Sequence, residues 1–223
     1  MKGKKTDPAA TAAHSPDLSS GLTRRSFLKG AGVGPAGLSA LHFSPRVTQA
    51  EDRPEIPPLL GPSPVPVRFE VNGQTYTVNV EPRLTLADVL RDHLDLTGTK
   101  VICDRGACGG CTVLLDNEPV VSCMLLAIAA QGKSIRTVEG LAQGTEQLDP
   151  LQEAFITHDA VQCGFCTPGM LMSCRALLDR IRQPTLDEIK AAVSGNLCRC
   201  GTYPHVFTAV LAASGQEPNL VKG

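Results

Sequence analysis

The chain has 223 residues, enough for one ordinary domain or two small ones. Its formal net charge of -1, its aromatic content of 4% and the absence of Trp give no reason to expect nucleic-acid binding. The unusual feature is the set of nine Cys, because eight of them fall into two tight groups. Cysteines grouped in this way serve disulfides, zinc sites or iron–sulfur clusters, and their spacing distinguishes these uses.

Residues 1–50 predict an export signal. An arginine pair, Arg24-Arg25, precedes a weakly apolar run from Gly30 to Phe43 that is rich in small residues, and Ala50 lies at a suitable cleavage position. This arrangement resembles a twin-arginine signal peptide; the alternative is an arginine pair that merely precedes an amphipathic segment. The apolar run is shorter than the roughly 20 residues that a bilayer requires, so we expect no stable membrane anchor.

The predicted signal has consequences for partners and location. The twin-arginine export machinery carries proteins that are already folded, as a cofactor inserted in the cytoplasm would require. We therefore expect that machinery as a partner and a periplasmic location after cleavage near Ala50. The next segment, residues 51–66, is rich in proline and predicts an extended linker.

Residues 67–144 predict a first domain that begins with a hairpin and a helix. Apolar residues alternate with charged ones from Val67 to Val71, the period of a half-buried strand. Asn72-Gly73 is a strong hairpin signal because both residues tolerate positive φ. After the return strand, Thr85 to Asp88 has the pattern of a capping box and predicts the start of a helix.

The loop after this helix carries the first cysteine group. Cys103, Cys108 and Cys111 have the spacing C-x4-C-x2-C. A turn at Asp116-Asn117 then predicts another hairpin, which would return Cys123 on the next strand. Three close cysteines and a distant fourth are the plant-type ferredoxin spacing for a 2Fe–2S cluster.

Glycines in the same loop support a cluster. Gly106, Gly109 and Gly110 permit a tight turn around a flat two-iron cluster and leave amide groups free to point at sulfur. Zinc is the main alternative, but the x4 spacing with glycines is atypical of zinc knuckles. Disulfides are the second alternative because the predicted destination is oxidising, although cysteines this close would form crowded bridges.

Residues 148–214 predict a second, helical domain. Four short amphipathic stretches each follow a helix-start signal, and their brief connections imply a small helical bundle. The four start signals are Asp149-Pro150, Thr167-Pro168, Thr185 to Glu188, and Tyr203-Pro204.

The second cysteine group lies between these predicted helices. Cys163 and Cys166 form C-x2-C, and Cys198 and Cys200 form C-x-C, with both pairs at helix ends where four thiols can converge. Spacing alone leaves iron–sulfur, zinc and disulfide readings open. Cys174 instead falls within an apolar helical stripe, which predicts a buried structural thiol.

Three motifs together carry a resemblance to a known family. They are Cys103-x4-Cys108-Gly109-Gly110-Cys111, the run QCGFCTPG from Gln162 to Gly169, and the run GNLCRCGTY from Gly195 to Tyr203. In combination they resemble the iron–sulfur subunit or domain of the xanthine dehydrogenase and aldehyde oxidoreductase family. The resemblance covers about residues 67–214. The export signal makes the chain most similar to the small subunit of a bacterial periplasmic aldehyde oxidoreductase.

The resemblance implies an α+β fold, with an N-terminal ferredoxin-like β-grasp domain followed by a C-terminal four-helix bundle. It implies a second 2Fe–2S cluster, nearest the molybdenum cofactor, on the cysteines of the bundle: Cys163, Cys166, Cys198 and Cys200. It also implies that Gln162 and Cys200 approach the amine of the pterin; an amide oxygen that accepts from an amine is reasonable chemistry for Gln162. Judged alone, a Gln at a helix end is an ordinary surface residue.

The resemblance further implies two partner subunits: a large one that holds the molybdopterin cofactor, expected as its cytosine dinucleotide, and a medium one that holds FAD. No residue of this chain is predicted to be catalytic. We expect the chain to relay electrons from an aldehyde-oxidising molybdenum subunit through two 2Fe–2S clusters to the flavin subunit. The alternatives from other classes are a free electron carrier and a structural zinc or disulfide module.

Overall fold

The computed structural model describes residues 60–142, 144 and 147–217. The predicted signal peptide and most of the predicted linker lie outside these residues. The described residues belong to one compact unit, so the two predicted domains are packed together. None of the helices in these ranges has the length and apolar character needed to cross a lipid bilayer.

A five-stranded mixed sheet forms the first half of the fold. Its strand order is β2-β1-β5-β3-β4. The β1 and β5 strands are parallel, whereas the β1–β2, β3–β4 and β3–β5 pairs are antiparallel. The strands are β1 (Val65–Val71), β2 (Gln74–Val80), β3 (Thr112–Leu115), β4 (Glu118–Val121) and β5 (Ser134–Arg136).

The first hairpin follows the sequence prediction closely. The apolar residues of β1 from Val67 to Val71 are buried while the residues between them are exposed. Asn72 and Gly73 have φ values of 52° and 81°, as the predicted turn requires. The strand starts two residues earlier than predicted, because Val65 and Pro66 already pair with the end of β2. Proline is acceptable there, at the start of a strand.

The predicted helix beneath the sheet is short and irregular. The capping box at Thr85 is present and starts α1 (Leu86–Asp88), which continues as a wider π-type turn over Val89–His93. Leu86 and Leu90 are fully buried in the core under the sheet. The predicted helix start is therefore confirmed, although only three residues are α-helical before the wider turn begins.

Four helices form the second half of the fold, as the four start signals predict. Asp149 and Thr185 cap their helices with capping boxes. Thr167 was predicted as an N-cap, but it is already the first residue of its helix. Cys166 takes the cap position instead, with helical φ and ψ. The helices are α2 (Pro150–Thr157), α3 (Thr167–Arg180), α4 (Leu186–Val193) and α5 (Tyr203–Ala213).

Helix α3 joins the two halves because it packs directly on the sheet. Val113 of β3 lies in the core under the sheet, whereas its neighbour Leu114 lies in the core of the helices. Arg136 of β5 forms a salt bridge to Asp179 of α3. β3 is therefore buried on both faces and contributes to two apolar cores, one under the sheet and one among the helices.

Candidate metal centres

The first cysteine group lies on the irregular loop 101–111 and on the short turn that follows β4. Cys103 and Cys108 are half-buried, whereas Cys111 and Cys123 are buried. Cys123 was predicted on a strand; it lies instead on a 3-10 turn, Ser122–Met124, immediately after β4 ends. The turn is held by the Ser122 hydroxyl, which donates to the Cys111 carbonyl at 2.7 Å. This bond places Cys123 beside Cys111.

The four thiols of this group approach one another in pairs. Cys103 interacts with Cys108 through their side chains, and Cys123 interacts with Cys111 in the same way. The Cys103 thiol is also close enough to Cys123 to contribute to raising the pKa of Cys123. Two adjacent thiol pairs are the donor set that a two-iron cluster needs, since each iron takes two thiolates.

Backbone amides aim at the sulfur atoms of this site. The amides of Arg105, Ala107 and Cys108 donate to the Cys103 sulfur, and the Arg105 bond contributes most to lowering the Cys103 pKa to about 7. At Cys123, burial is the largest effect and raises the pKa to about 11, against the opposing hydrogen bond from the Gly106 amide. The amides of the loop thus stabilise negative charge on the Cys103 sulfur.

Two glycines make this loop geometry possible. Gly106 and Gly109 have φ values of 70° and 68°, the left-handed region that favours glycine. At Gly109 a side chain would also collide with the Gly195 carbonyl, at 2.6 Å. Gly110 has a different reason to be glycine, because a side chain there would meet Ile102. The predicted tight turn is therefore present at Gly106 and Gly109, whereas Gly110 has no positive φ and its predicted role stays a prediction.

The second cysteine group lies at the start of two helices. Cys163 and Cys166 precede α3, and Cys198 and Cys200 precede α5. Cys163 and Cys200 are exposed and interact with each other, whereas Cys166 and Cys198 are half-buried and form the other pair. This site therefore has the same paired arrangement as the first, but one of its pairs faces outward.

The two thiols of the half-buried pair at the second site have pKa values shifted in opposite directions. Burial raises the pKa of Cys166 to about 12. Burial also acts to raise the pKa of Cys198, but hydrogen bonds from Thr202, Cys166 and Gly201 together outweigh it and lower that pKa to about 7. The Thr202 hydroxyl lies 3.3 Å from the Cys198 sulfur and is almost fully buried. On a thiolate sulfur this hydroxyl can only donate.

A tyrosine fixes the segment that carries Cys198. The Tyr203 hydroxyl accepts from the Cys198 amide at 2.8 Å and donates to the Asn196 carbonyl at 3.0 Å. In the sequence, Tyr203 stands out only as the end of a motif and as part of a helix-start signal, and no pattern marks Thr202 as a neighbour of sulfur. The chemistry of both residues depends on a loop shape that spacing does not reveal.

The remaining cysteine and the predicted pterin contact differ in exposure. Cys174 is fully buried on α3, and burial raises its pKa to about 12, so the prediction of a structural thiol is confirmed. Gln162 is exposed and directly precedes Cys163. Gln162 and Cys200 therefore both reach solvent at the outer pair of the second site.

The donor chemistry fits two iron–sulfur clusters. All nine cysteines, each within the described residues, are free, so their thiols are available as ligands. Within the described ranges no three Cys, His, Asp or Glu side chains meet at the spacing of a single bound metal ion. The thiols instead form two adjacent pairs at each site, with amides or a hydroxyl aimed at sulfur.

Family models match both halves of the fold. Residues 69–137 match the 2Fe-2S iron-sulfur cluster binding domain, and residues 137–211 match the 2Fe-2S binding domain. The matched ranges contain the first and the second cysteine group respectively. The sequence predictions of two 2Fe–2S clusters are therefore supported, and the zinc alternative fails.

Curated relatives and a solved structure agree with these matches. The nicotine 6-hydroxylase small subunit of Paenarthrobacter nicotinovorans is 52% identical over 161 residues, which are 71% of this chain and 96% of that protein. The aldehyde oxidoreductase iron-sulfur-binding subunit PaoA of Escherichia coli (strain K12) is 40% identical over 91% of this chain and 92% of its own length. A chain in the crystal structure of quinoline 2-oxidoreductase from Pseudomonas putida 86 has a TM-score of 0.66 and 46% identity, covering 69% of this chain and 95% of that one.

The Thr202 contact gives a prediction about the second cluster. Thr202→Val keeps the side-chain shape but removes the donor to the Cys198 sulfur, so the reduced, more negative state loses stabilisation. We expect the midpoint potential of that cluster to fall by tens of millivolts in an EPR-monitored redox titration. Thr202→Ser keeps the hydroxyl and should stay near the wild-type potential. An unchanged potential in Thr202→Val would show that the hydroxyl does not tune this cluster.

Proposed function

The chain belongs to the iron–sulfur subunits of the molybdenum hydroxylases, and we propose that it carries electrons from a molybdenum-cofactor subunit to a flavin subunit. We further propose that the complex is a periplasmic aldehyde oxidoreductase that converts an aldehyde to a carboxylic acid. The relative that aligns over 91% of this chain is named an aldehyde oxidoreductase subunit, which supports that choice. The substrate site would lie on the large subunit.

One observation carries the proposed direction of transfer: the two sites differ in their exposure. The first site holds two buried and two half-buried cysteines, whereas the second exposes Cys163 and Cys200. When bound, the clusters supply one-electron redox chemistry, and their burial and hydrogen bonds tune the potential. A redox site with exposed ligands in an enzyme subunit suits direct contact with a partner's cofactor.

The surface around the second site has the character of an interface. Phe165 and Leu197 are 57% and 58% exposed, and Val161, two residues before Cys163, is also exposed. Large apolar side chains clustered around a functional site commonly mark a protein contact. We call Val161, Phe165 and Leu197 the outer patch and propose that the large molybdenum subunit covers it. Gln162 and Cys200 would then approach the amine of the pterin, held there as its cytosine dinucleotide.

The rim of the first site offers a second contact surface. Ile102 precedes Cys103 and is 46% exposed, and Met124 follows Cys123 and is 63% exposed. Leu126 is also exposed. We call Ile102, Met124 and Leu126 the inner patch and propose that the FAD-binding medium subunit docks there. The three subunits would form a heterotrimer with this chain between the other two.

The finer description of the fold follows the same reasoning. We infer that the mixed sheet with α1 is the ferredoxin-like β-grasp domain and that α2 to α5 form a four-helix bundle. The mixed strand order and the shared apolar core of the four helices support this description.

The function is tested by purifying the chain together with the products of its neighbouring genes. We expect about four irons per chain, bound molybdenum and FAD, and two distinct 2Fe–2S signals in the EPR spectrum of the reduced complex. Aldehyde added to the oxidised complex should reduce both clusters. Four irons without any partner would support a free electron carrier instead, and clusters that aldehyde leaves oxidised would refute the proposed substrate class.

The two patches give a paired test of the docking order. Phe165→Asp places a charge in the outer patch, and we expect it to weaken binding of the molybdenum subunit by at least about tenfold while the flavin subunit stays bound. Met124→Asp in the inner patch should have the reverse selectivity. Each variant is the control for the other, measured by pull-down and analytical ultracentrifugation. Loss of the same subunit in both variants would refute the assignment of the two patches.

The proposed periplasmic location rests on the arginine pair near the start of the chain. The 40% identical PaoA relative aligns over 91% of this chain, which extends the match into residues before the described part. Replacing both Arg24 and Arg25 with Lys should retain the protein, with its clusters, in the cytoplasmic fraction. Cell fractionation with immunoblotting measures this. Periplasmic protein at wild-type levels in the double variant would refute twin-arginine export.

A further inference from the structure

A buried amide side chain connects the two cluster-binding regions. Asn196 is 4% exposed and lies two residues before Cys198. Its Nδ2 donates to the carbonyl of Gly109 at 3.0 Å, and its Oδ1 accepts from the Ser173 hydroxyl at 2.8 Å. Asn196 thus joins the loop of the first site to helix α3, which begins directly after Cys166 of the second site.

The main chain makes a parallel connection next to it. The amide of Leu197 donates to the carbonyl of Cys108 at 2.9 Å. Cys108 is a thiol of the first site, and Leu197 directly precedes Cys198 of the second. The two bonds from residues 196 and 197 therefore land on two consecutive carbonyls of the first loop. Two adjacent bonds of this kind hold the segment before Cys198 in a fixed register against the loop of the first site.

The surrounding packing leaves no room for rearrangement. A side chain at Gly169 of α3 would overlap the carbonyl oxygen of Gly109. A side chain at Gly109 would lie 2.6 Å from Asn196 Nδ2. The Tyr203 hydroxyl holds the Asn196 carbonyl from the other side. The amide of Asn196 consequently has one position and one orientation.

We propose that Asn196 is a positioning residue that sets the separation between the two 2Fe–2S sites, and so the rate at which electrons pass between them. This inference rests on the proposed relay function. The Asn196 side chain bonds to neither set of thiols. Its replacement should therefore leave each ligand set intact and change the separation between the two sets. That property distinguishes it from Thr202, which acts on one sulfur atom.

The amide is well matched to its two partners. It supplies a donor for the Gly109 carbonyl and an acceptor for the Ser173 hydroxyl. In Asn196→Asp the acceptor remains, but a carboxylate oxygen would face the Gly109 carbonyl and repel it. Asn196→Ala removes both bonds. Ser173→Ala leaves the Gly109 bond but releases the anchor on α3, so its effect should be intermediate.

The test uses the intact complex with its clusters. The magnetic interaction between the two reduced clusters reports their separation, and EPR measures it without turnover. We expect Asn196→Asp and Asn196→Ala to weaken the splitting and to slow electron equilibration between the clusters several-fold. Iron content, the two midpoint potentials and the g values should match the wild type. Ser194→Ala is the matched control, because the Ser194 hydroxyl bonds only to Ala191 within its own helix end.

Two results would overturn the positioning role. The first is wild-type splitting and electron-transfer rate in both Asn196 variants at full iron content. The second is loss of iron from the second site in Asn196→Asp, which would make Asn196 a structural support of the ligands. Reduction of both clusters by aldehyde in the wild-type complex tests the relay itself. Failure of the relay is therefore distinguishable from failure of the role given to Asn196.

Discussion

The structure depends on one close approach, where helix α3 touches the loop of the first metal centre at Gly169 and Gly109. Backbone meets backbone there, since neither position has space for a side chain. The same helix begins at the second metal centre and buries its middle against β3. One helix therefore fixes the sheet, the first loop and the segment 163–166 relative to one another. Side-chain packing alone would leave more freedom, because side chains can change rotamer whereas two backbones in contact cannot.

The two metal centres use the same donors in different surroundings. In each, one thiol has its pKa lowered by nearby hydrogen-bond donors and another has its pKa raised by burial. At the first centre the donors are loop amides aimed at Cys103, whereas at the second they include the buried Thr202 hydroxyl. The first centre is partly enclosed and the second is open on one side. Differences of this kind allow one protein to hold two clusters of equal composition at unequal potentials.

Local signals in the sequence predicted most of the elements, and the eight cysteines predicted as ligands lie in two groups of two adjacent pairs. The hairpin at Asn72-Gly73, the capping boxes and the two cysteine groups each depend on residues that are near one another in the chain. The errors occurred where longer-range contacts decide the outcome. Cys123 lies on a turn because Ser122 bonds back to Cys111. Thr167, by contrast, differs from the prediction by one residue, because Cys166 takes the cap position. The junction at Asn196 joins residues 87 positions apart, and no periodicity or spacing reports such a contact.

The packing of Leu114 among the helices limits how the two halves of such a subunit can be separated or recombined. The family models divide the chain at residue 137, yet Leu114 from the first range lies in the core of the second. Excising the helical half would expose that core and remove the carbonyls to which residues 196 and 197 bond. If the helical half were fused to an unrelated ferredoxin, that ferredoxin would need a residue equivalent to Gly109, with backbone accessible to helix α3 and no side chain in the way. The two halves therefore depend on each other for burial and for hydrogen-bond partners, and an exchange between proteins should keep them together.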